Sequence, residues 1–158
     1  MELEKLAKTL TERGLTVVVA EADTAGYVGH LLCSVPGASR YFPGGVIAYG
    51  RQPKTHVLGV REETLRRHGS VSRETALEMA EGVRRLMDAD IGISTTGVAG
   101  PTGGSPEKPV GTFWIALSAR DGTQRAQEHR FGSGERMANK EKAAHAAVRL
   151  LAGYLGLD

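Results

Sequence analysis

Leu3, Leu6, Ala7 and Leu10 recur at helical spacing among charged residues, and Gly14 follows, so residues 2–13 predict an amphipathic opening helix that stops there. Val17-Val18-Val19-Ala20 is a continuous β-branched run instead, the pattern of a strand buried on both faces. A polar turn at 21–26 and a stretch to Cys33 that can be helical complete a strand–turn–helix unit, closed by Pro36-Gly37. A second strand is predicted around 45–49, and a helical stretch from about Pro53, where a first turn tolerates proline, to Gly59. Residues 61–68 read as a short helix ended by Gly69, and Ser72-Arg-Glu-Thr75 as the N-cap of a long amphipathic helix through Leu86 and Met87. Strands follow at 91–95 and 112–117, and Asp121-Gly122 marks a tight hairpin into 126–131. A last helix, from about Gly134 to Leu155, carries Ala143, Ala144, Ala147, Leu150, Leu151 and Tyr154 along one side. Helices alternating with buried strands predict one α/β domain over 1–158: a three-layer α/β/α sandwich with a mixed, mostly parallel sheet whose late strands form an antiparallel hairpin.

Composition narrows the classes of function. The 158 residues include 20 Lys+Arg against 18 Asp+Glu, a formal charge of +2, and the basic clusters at 66–67 and 84–85 lie in helical patterns that also carry acids. A nucleic-acid partner is therefore not expected. Aromatic residues make up only 5%, too few for a base-stacking platform, so the core must be packed from Val, Leu, Ile and Ala. No apolar run approaches the length of a membrane span and the first residues are too charged for a signal peptide, so a cytoplasmic protein without a membrane partner is expected. The single cysteine, Cys33, reads as a packing residue, and the five histidines lack ligand spacing, so neither a metal nor a cofactor is implied. Glycine, at 21 residues, is in excess and gathers in loops.

Ligands of open α/β sheets gather outside the carboxyl ends of strands, and three loops qualify. The turn at 21–26 has the form of a phosphate cradle at a helix N-terminus, although Asp23 or Thr24 acting as a plain helix cap explains the same pattern. The middle loop, Tyr49-Gly-Arg-Gln-Pro-Lys54, offers a phenol, a guanidinium and an ammonium, or simply solvated charge. The long loop at 96–111 holds successive glycines that let backbone amides approach a ligand. It fits neither the nucleoside-triphosphate loop nor the dinucleotide fingerprint.

Taken together these loops resemble the C-terminal domain of the CinA competence/damage-inducible family, whose stand-alone members include the nicotinamide mononucleotide amidohydrolase. The carriers span nearly the whole chain: Ala20-Glu21-x-x-Thr24-x-Gly26, Val35-Pro36-Gly37-Ala38-Ser39, the Tyr49 to Lys54 spacing, Gly69-x-Val71-Ser72, Thr96-Gly97-x-Ala99-Gly100-Pro101-x-Gly103-Gly104, Glu107-Lys108-Pro109-Val110-Gly111-Thr112 and Phe131-x-x-Gly134-x-Arg136. The resemblance implies hydrolysis of a carboxamide to a carboxylate and ammonia by a serine nucleophile with a lysine base, Lys54 here, and Tyr49 as its neighbour. It further implies a substrate pocket drawn from Glu21, Asp23, Gly26, Arg51, Thr96, Gly97, Gly100, Gly103, Gly104, Lys108 and Arg136, and a homo-oligomer.

The nucleophile is missing. The family motif reads Ala-Glu-Ser-Cys-Thr-Gly-Gly, and this chain reads Ala20-Glu21-Ala22-Asp23-Thr24-Ala25-Gly26, with Arg51 in place of the asparagine usual two residues after the tyrosine. Ala22 has no lone pair to attack with, and an added Asp23 paired with Lys54 or Arg51 would favour the charged, non-basic form of the cation. Three readings stand: a domain that keeps a pyridine-nucleotide pocket without hydrolysis, an amidohydrolase in which Thr24, Asp23 or a Lys54-activated water replaces the serine, and a partner-binding or structural subunit.

Overall fold

The structure is a computed structural model that describes residues 2–132 and 134–157. Its elements run α1 (Glu2–Arg13), β1 (Val17–Glu21), α2 (Tyr27–Leu32), a 3₁₀ turn (Ala38–Arg40), β2 (Gly44–Ile47), a π-helical turn (Pro53–Val57), α3 (Glu62–His68), α4 (Arg73–Leu86), β3 (Ile91–Gly97), β4 (Thr112–Ala119), β5 (Gln124–Arg130) and α5 (Arg136–Tyr154). The five strands form one mixed sheet in the order β2-β1-β3-β4-β5. β1 pairs in parallel with β2 and β3, and the β3–β4 and β4–β5 pairs are antiparallel, so only β4 runs against the rest. This is the α/β arrangement expected from the sequence.

The alternation of β1 explains the three layers. Val17 and Val19 point into a core shared with Leu6 and Leu10 of α1, Val28 and Leu32 of α2, and Val148 and Leu151 of α5. Val18 and Ala20 point the other way, onto Leu65 of α3 and Met79 and Val83 of α4. A strand with apolar side chains on both faces has to be covered on both sides, which is why the run at 17–20 carries no polar positions.

The Ser72 cap forms as expected: its Oγ accepts from the Thr75 backbone N–H at 3.1 Å and donates to the Gly69 carbonyl at 3.0 Å. β2 is shorter than the predicted 45–49, because the chain leaves the sheet at Ala48 for a turn held by Lys54. The helical stretch from Pro53 is a single wide π turn. β5 is exposed along most of its length, consistent with an edge strand carrying Arg125, Glu128 and Arg130, charges that discourage further pairing.

β3 carries three consecutive hydroxyls, all buried, and each is committed to a different part of the chain. Ser94 donates to the Ala76 carbonyl of α4, Thr95 shares a 2.7 Å hydrogen bond with Thr24 beyond β1, and Thr96 donates to the Ser70 carbonyl at 2.7 Å. No helix among the described residues is long and apolar enough to cross a membrane.

Candidate functional site

The parallel strands β1, β2 and β3 end on the same side of the sheet, and their following loops meet there, as open α/β sheets require of a ligand site. The first loop is a tight turn. The Ala22 N–H donates to the Thr95 carbonyl at 3.0 Å, which ties the turn to the end of β3, and the Ala25 N–H closes back on the Ala22 carbonyl at 3.1 Å. Ala25 takes a left-handed φ of 47°, a conformation glycine adopts without steric penalty and alanine does not.

Glu21 holds this turn from below. Its carboxylate is 1% exposed and accepts from the backbone N–H groups of Val28 and Gly29, each at 2.9 Å, and from the Thr24 hydroxyl at 2.6 Å. The cap of α2 is thus Glu21, reaching forward from the end of the preceding strand, rather than Asp23 or Thr24. The N–H groups read from sequence as a phosphate cradle are taken by this internal carboxylate. Gly26 sits at the N-cap position with φ 101° and its role is conformational. Thr24 is 2% exposed and gives its proton to Glu21 while sharing its oxygen with Thr95. No proton of that hydroxyl is left for a base to remove.

The middle loop brings Lys54 inward and sends Arg51 outward. Lys54 is 3% exposed, and its ammonium donates to the Ala48 carbonyl at 2.8 Å and to the Tyr49 carbonyl at 3.0 Å, with the Gly50 carbonyl at 3.5 Å. Ala48 is itself bonded to the end of β1, its N–H donating to the Glu21 carbonyl at 2.8 Å, and it packs in the same buried cluster as Ala22. The Lys54 ammonium is thereby tied to the segment bonded to the end of β1, and Ala22 is the next residue after that end. Arg51 instead pairs with Glu62 of α3 on the surface.

The third loop is organised from α5. Arg136 donates to the Gly100 carbonyl at 2.8 Å and to the Tyr49 hydroxyl at 3.0 Å, joining the middle and third loops across the mouth of the site. Buried Asn139, one turn further along α5, donates to the Ala99 carbonyl at 3.1 Å. Gly97 has no room for a side chain, since a Cβ there would lie 2.1 Å from the Phe113 ring. Gly100, Gly103 and Gly104 all take positive φ, between 80° and 85°, and set the path of the loop. Thr96 and Lys108 face away from the mouth: Thr96 donates to Ser70, and Lys108 donates to the His68 carbonyl at the end of α3, pinning the loop down.

The structure therefore brings Ala22, Asp23, Lys54, Tyr49, Gly97, Gly100 and Arg136 together. Glu21 and Thr24 lie beneath them, and Arg51, Thr96 and Lys108 lie elsewhere. Sequence reasoning missed Thr95, Asn139 and Lys140. A polar Asn139 within the apolar stripe of the last helix was the available signal for one of them.

The charges in this cluster are perturbed. Burial pushes the Lys54 ammonium below the usual lysine range, and the Asp23 charge pushes it back. Burial raises the Asp23 carboxyl, opposed by a backbone hydrogen bond with Gly97 and by the charges of Lys54, Arg136 and Lys140. Shifts of this kind, toward the neutral forms of both partners, are typical of groups kept for binding or proton transfer. No group of three His, Cys, Asp or Glu among the described residues is placed to hold a metal ion.

Residues 2–155 match the CinA C-terminal domain. The chain is 46% identical over 144 residues to the CinA-like protein of Salinibacter ruber, covering 90% of this chain and 34% of that protein. It is 43% identical over 152 residues to the CinA-like protein of Thermotoga maritima, covering 96% and 36% respectively. The chain thus spans about a third of the length of these curated relatives. Among solved structures, the competence/damage inducible protein CihA from Agrobacterium tumefaciens superposes with a TM-score of 0.91 at 36% identity, covering 99% of this chain and 96% of that one. The competence damage-inducible protein A (ComA) from Klebsiella pneumoniae does so with a TM-score of 0.93 at 33% identity, covering 98% and 95%.

Proposed function

The chain belongs to the CinA C-terminal domain family, and from that premise we propose that it keeps a pocket for a pyridine mononucleotide while having lost efficient amide hydrolysis. The observation that carries this reading is a buried lysine without a hydroxyl to act on. Lys54 stands beside the carboxyl end of β1, and the residue there is Ala22, whose methyl is 1% exposed. In the serine/lysine chemistry implied by resemblance, a neutral amine takes the serine proton as the oxygen bonds to the carboxamide carbon. The C–N bond then breaks as the nitrogen takes that proton from the lysine, ammonia leaves, and water hydrolyses the ester to the carboxylate and restores the serine. With a methyl at position 22 the first bond cannot form.

The Thr24 hydroxyl does not replace it, because Thr24 is buried and its proton already goes to Glu21. Tyr49, 54% exposed and bonded to Arg136, is suited to line the mouth of a pocket for a planar ring. One alternative keeps hydrolysis, with water activated by Asp23 or Lys54. It is favoured by the upward shift of the Asp23 carboxyl, which moves that group toward useful general-base range.

The test is ammonia release from nicotinamide mononucleotide at high protein concentration, with binding of the same nucleotide measured by calorimetry. The unmodified protein is expected to bind without measurable release, and Ala22→Ser to gain release of at least about 100-fold over it, since losing a nucleophile ordinarily removes several orders of magnitude. Clear turnover by the unmodified protein, abolished in Asp23→Asn, would establish the water route instead. Absence of binding would leave a structural or partner-binding role.

A further inference from the structure

The two edges of the sheet are finished differently. β5 closes one side with Arg125, Glu128 and Arg130, whereas β2 closes the other with Gly44-Gly45-Val46-Ile47 and carries no charge. The Ala48 N–H turns inward to the Glu21 carbonyl at 2.8 Å, and backbone groups alternate in direction along a strand, so those of Gly45 and Ile47 point away from β1. Both residues are exposed. Pro43, at the next outward position, has no N–H to give, which confines pairing on this edge to those two residues.

Apolar side chains stand on either side of that short edge. Ile47, 58% exposed, lies on the α2 side, where its Cδ1 would be 3.6 Å from a Cβ on Gly26. On the other side a Cβ on Gly44 would lie 3.6 Å from the Met87 methyl, which sets the end of α4 beside the start of β2. There Val57 and Leu86, 44% and 54% exposed, share a cleft between the π turn and α4. Large apolar groups gathered at an unguarded edge mark a surface that a partner covers.

The charges around the cleft indicate which partner. Its walls carry Arg61 paired with Glu78 at 3.3 Å and Arg85 paired with Glu81 at 3.1 Å. The two signs are balanced. A surface of this kind meets its own two-fold image without net repulsion, and an edge strand run antiparallel to itself is its own hydrogen-bonding complement.

We infer that β2 is the edge on which a second copy of this chain docks. A two-fold axis at Val46 sets the two β2 strands antiparallel, so that Gly45 of one copy exchanges both backbone hydrogen bonds with Ile47 of the other. The sheets then run on as one, and the side chains at 47, 57 and 86 supply the apolar contact that so short a ladder cannot. The inference is independent of what the pocket binds.

It is tested by sedimentation equilibrium over a dilution series, with amide exchange followed at Gly45 and Ile47. The unmodified protein is expected to be a dimer in which both amides are protected, and to lose that protection as it dissociates on dilution. Ile47→Glu and Leu86→Glu, both at positions exposed in the single chain, are expected to keep the parent far-UV circular dichroism and to weaken the dimer at least about 30-fold, the scale of losing a central interface anchor. Arg125→Glu, on the opposite edge, is expected to leave it unchanged. A parent that is monomeric at about 100 μM, where even a weak specific dimer forms, overturns the inference and leaves the edge to a strand of another protein. A dimer that survives both glutamate variants, that is lost in Arg125→Glu, or whose Gly45 and Ile47 amides exchange as fast as in the monomer overturns it as well.

Discussion

Just before β1 begins, Asp90 accepts from the Thr16 backbone N–H at 2.9 Å and from Arg120 at 3.1 Å, and Arg120 reaches Asp88 at 3.1 Å as well. Just after β1 ends, Asp23 and Lys54 act on each other by charge, with no ion pair closing between them among the described residues. Burial presses upward on both carboxyls, but at Asp90 the bonds from Thr16 and Arg120 outweigh it and hold the group below the usual carboxylate range. At Asp23 burial prevails. The same strand thus separates a set of charges arranged for stability from a set held at some cost to it.

The sharpest way to break this comparison is to remove the framework under the site. Glu21→Ala leaves the Val28 and Gly29 N–H groups and the Thr24 hydroxyl without their buried acceptor, and is expected to lose about 3 kcal/mol in urea unfolding. Asp90→Asn acts at the other end and is expected to lose about 1 kcal/mol at neutral pH. Because the folded Asp90 carboxyl titrates below its unfolded value, its contribution is complete above the unfolded range and disappears as pH falls through the folded one. Asp90→Asn is therefore expected to show a flatter loss of stability in acid than the unmodified protein.

Changes at the site end are expected to run the other way. Ala25→Gly relieves a left-handed alanine and should gain about 0.5 kcal/mol, less than the strain itself because glycine also loosens the unfolded chain. Asp23→Asn should be the smallest change, a gain of about 0.3 kcal/mol at neutral pH, the range of a partly exposed position. Its sign follows from the raised folded titration: ionised Asp23 destabilises the fold above that range, and the penalty vanishes once pH drops below the unfolded value. Unfolding curves for the two aspartate variants, followed across acid and neutral pH, should diverge in opposite directions from the parent.

The elements were legible because their signals are local: the helical spacing of Leu3, Leu6 and Leu10, the apolar run at 17–20, and the Ser72 cap with its acceptor role three residues ahead. So were the loops that meet at the site, since strand ends and glycine clusters identify them. The partners within those loops were not. The cap of α2 comes from Glu21, seven and eight residues before the N–H groups it serves, a spacing outside any local capping pattern. Arg51 and Lys54 lie in one short loop of mixed charge, and nothing in the local sequence distinguishes the one that pairs with Glu62 on the surface from the one that turns to the interior carbonyls. Lys108 belongs to the glycine loop in sequence but is claimed by the carbonyl of His68, forty residues away.

The row of hydroxyls on β3 bears on how this protein can move. Ser94 is fastened to α4, Thr95 to the turn after β1, and Thr96 to the link between α3 and α4, so three segments far apart in sequence share one strand as their anchor. Freeing any of them strips a buried hydroxyl of its partner, a penalty of about 1–3 kcal/mol that solvent cannot refund in the interior. Breathing at the mouth of the site is thereby confined to the glycine loop, while the floor opens as one cooperative unit with the central sheet. Amide hydrogens of the turn at 22–25 should exchange on the timescale of β3, not on that of the loop above them.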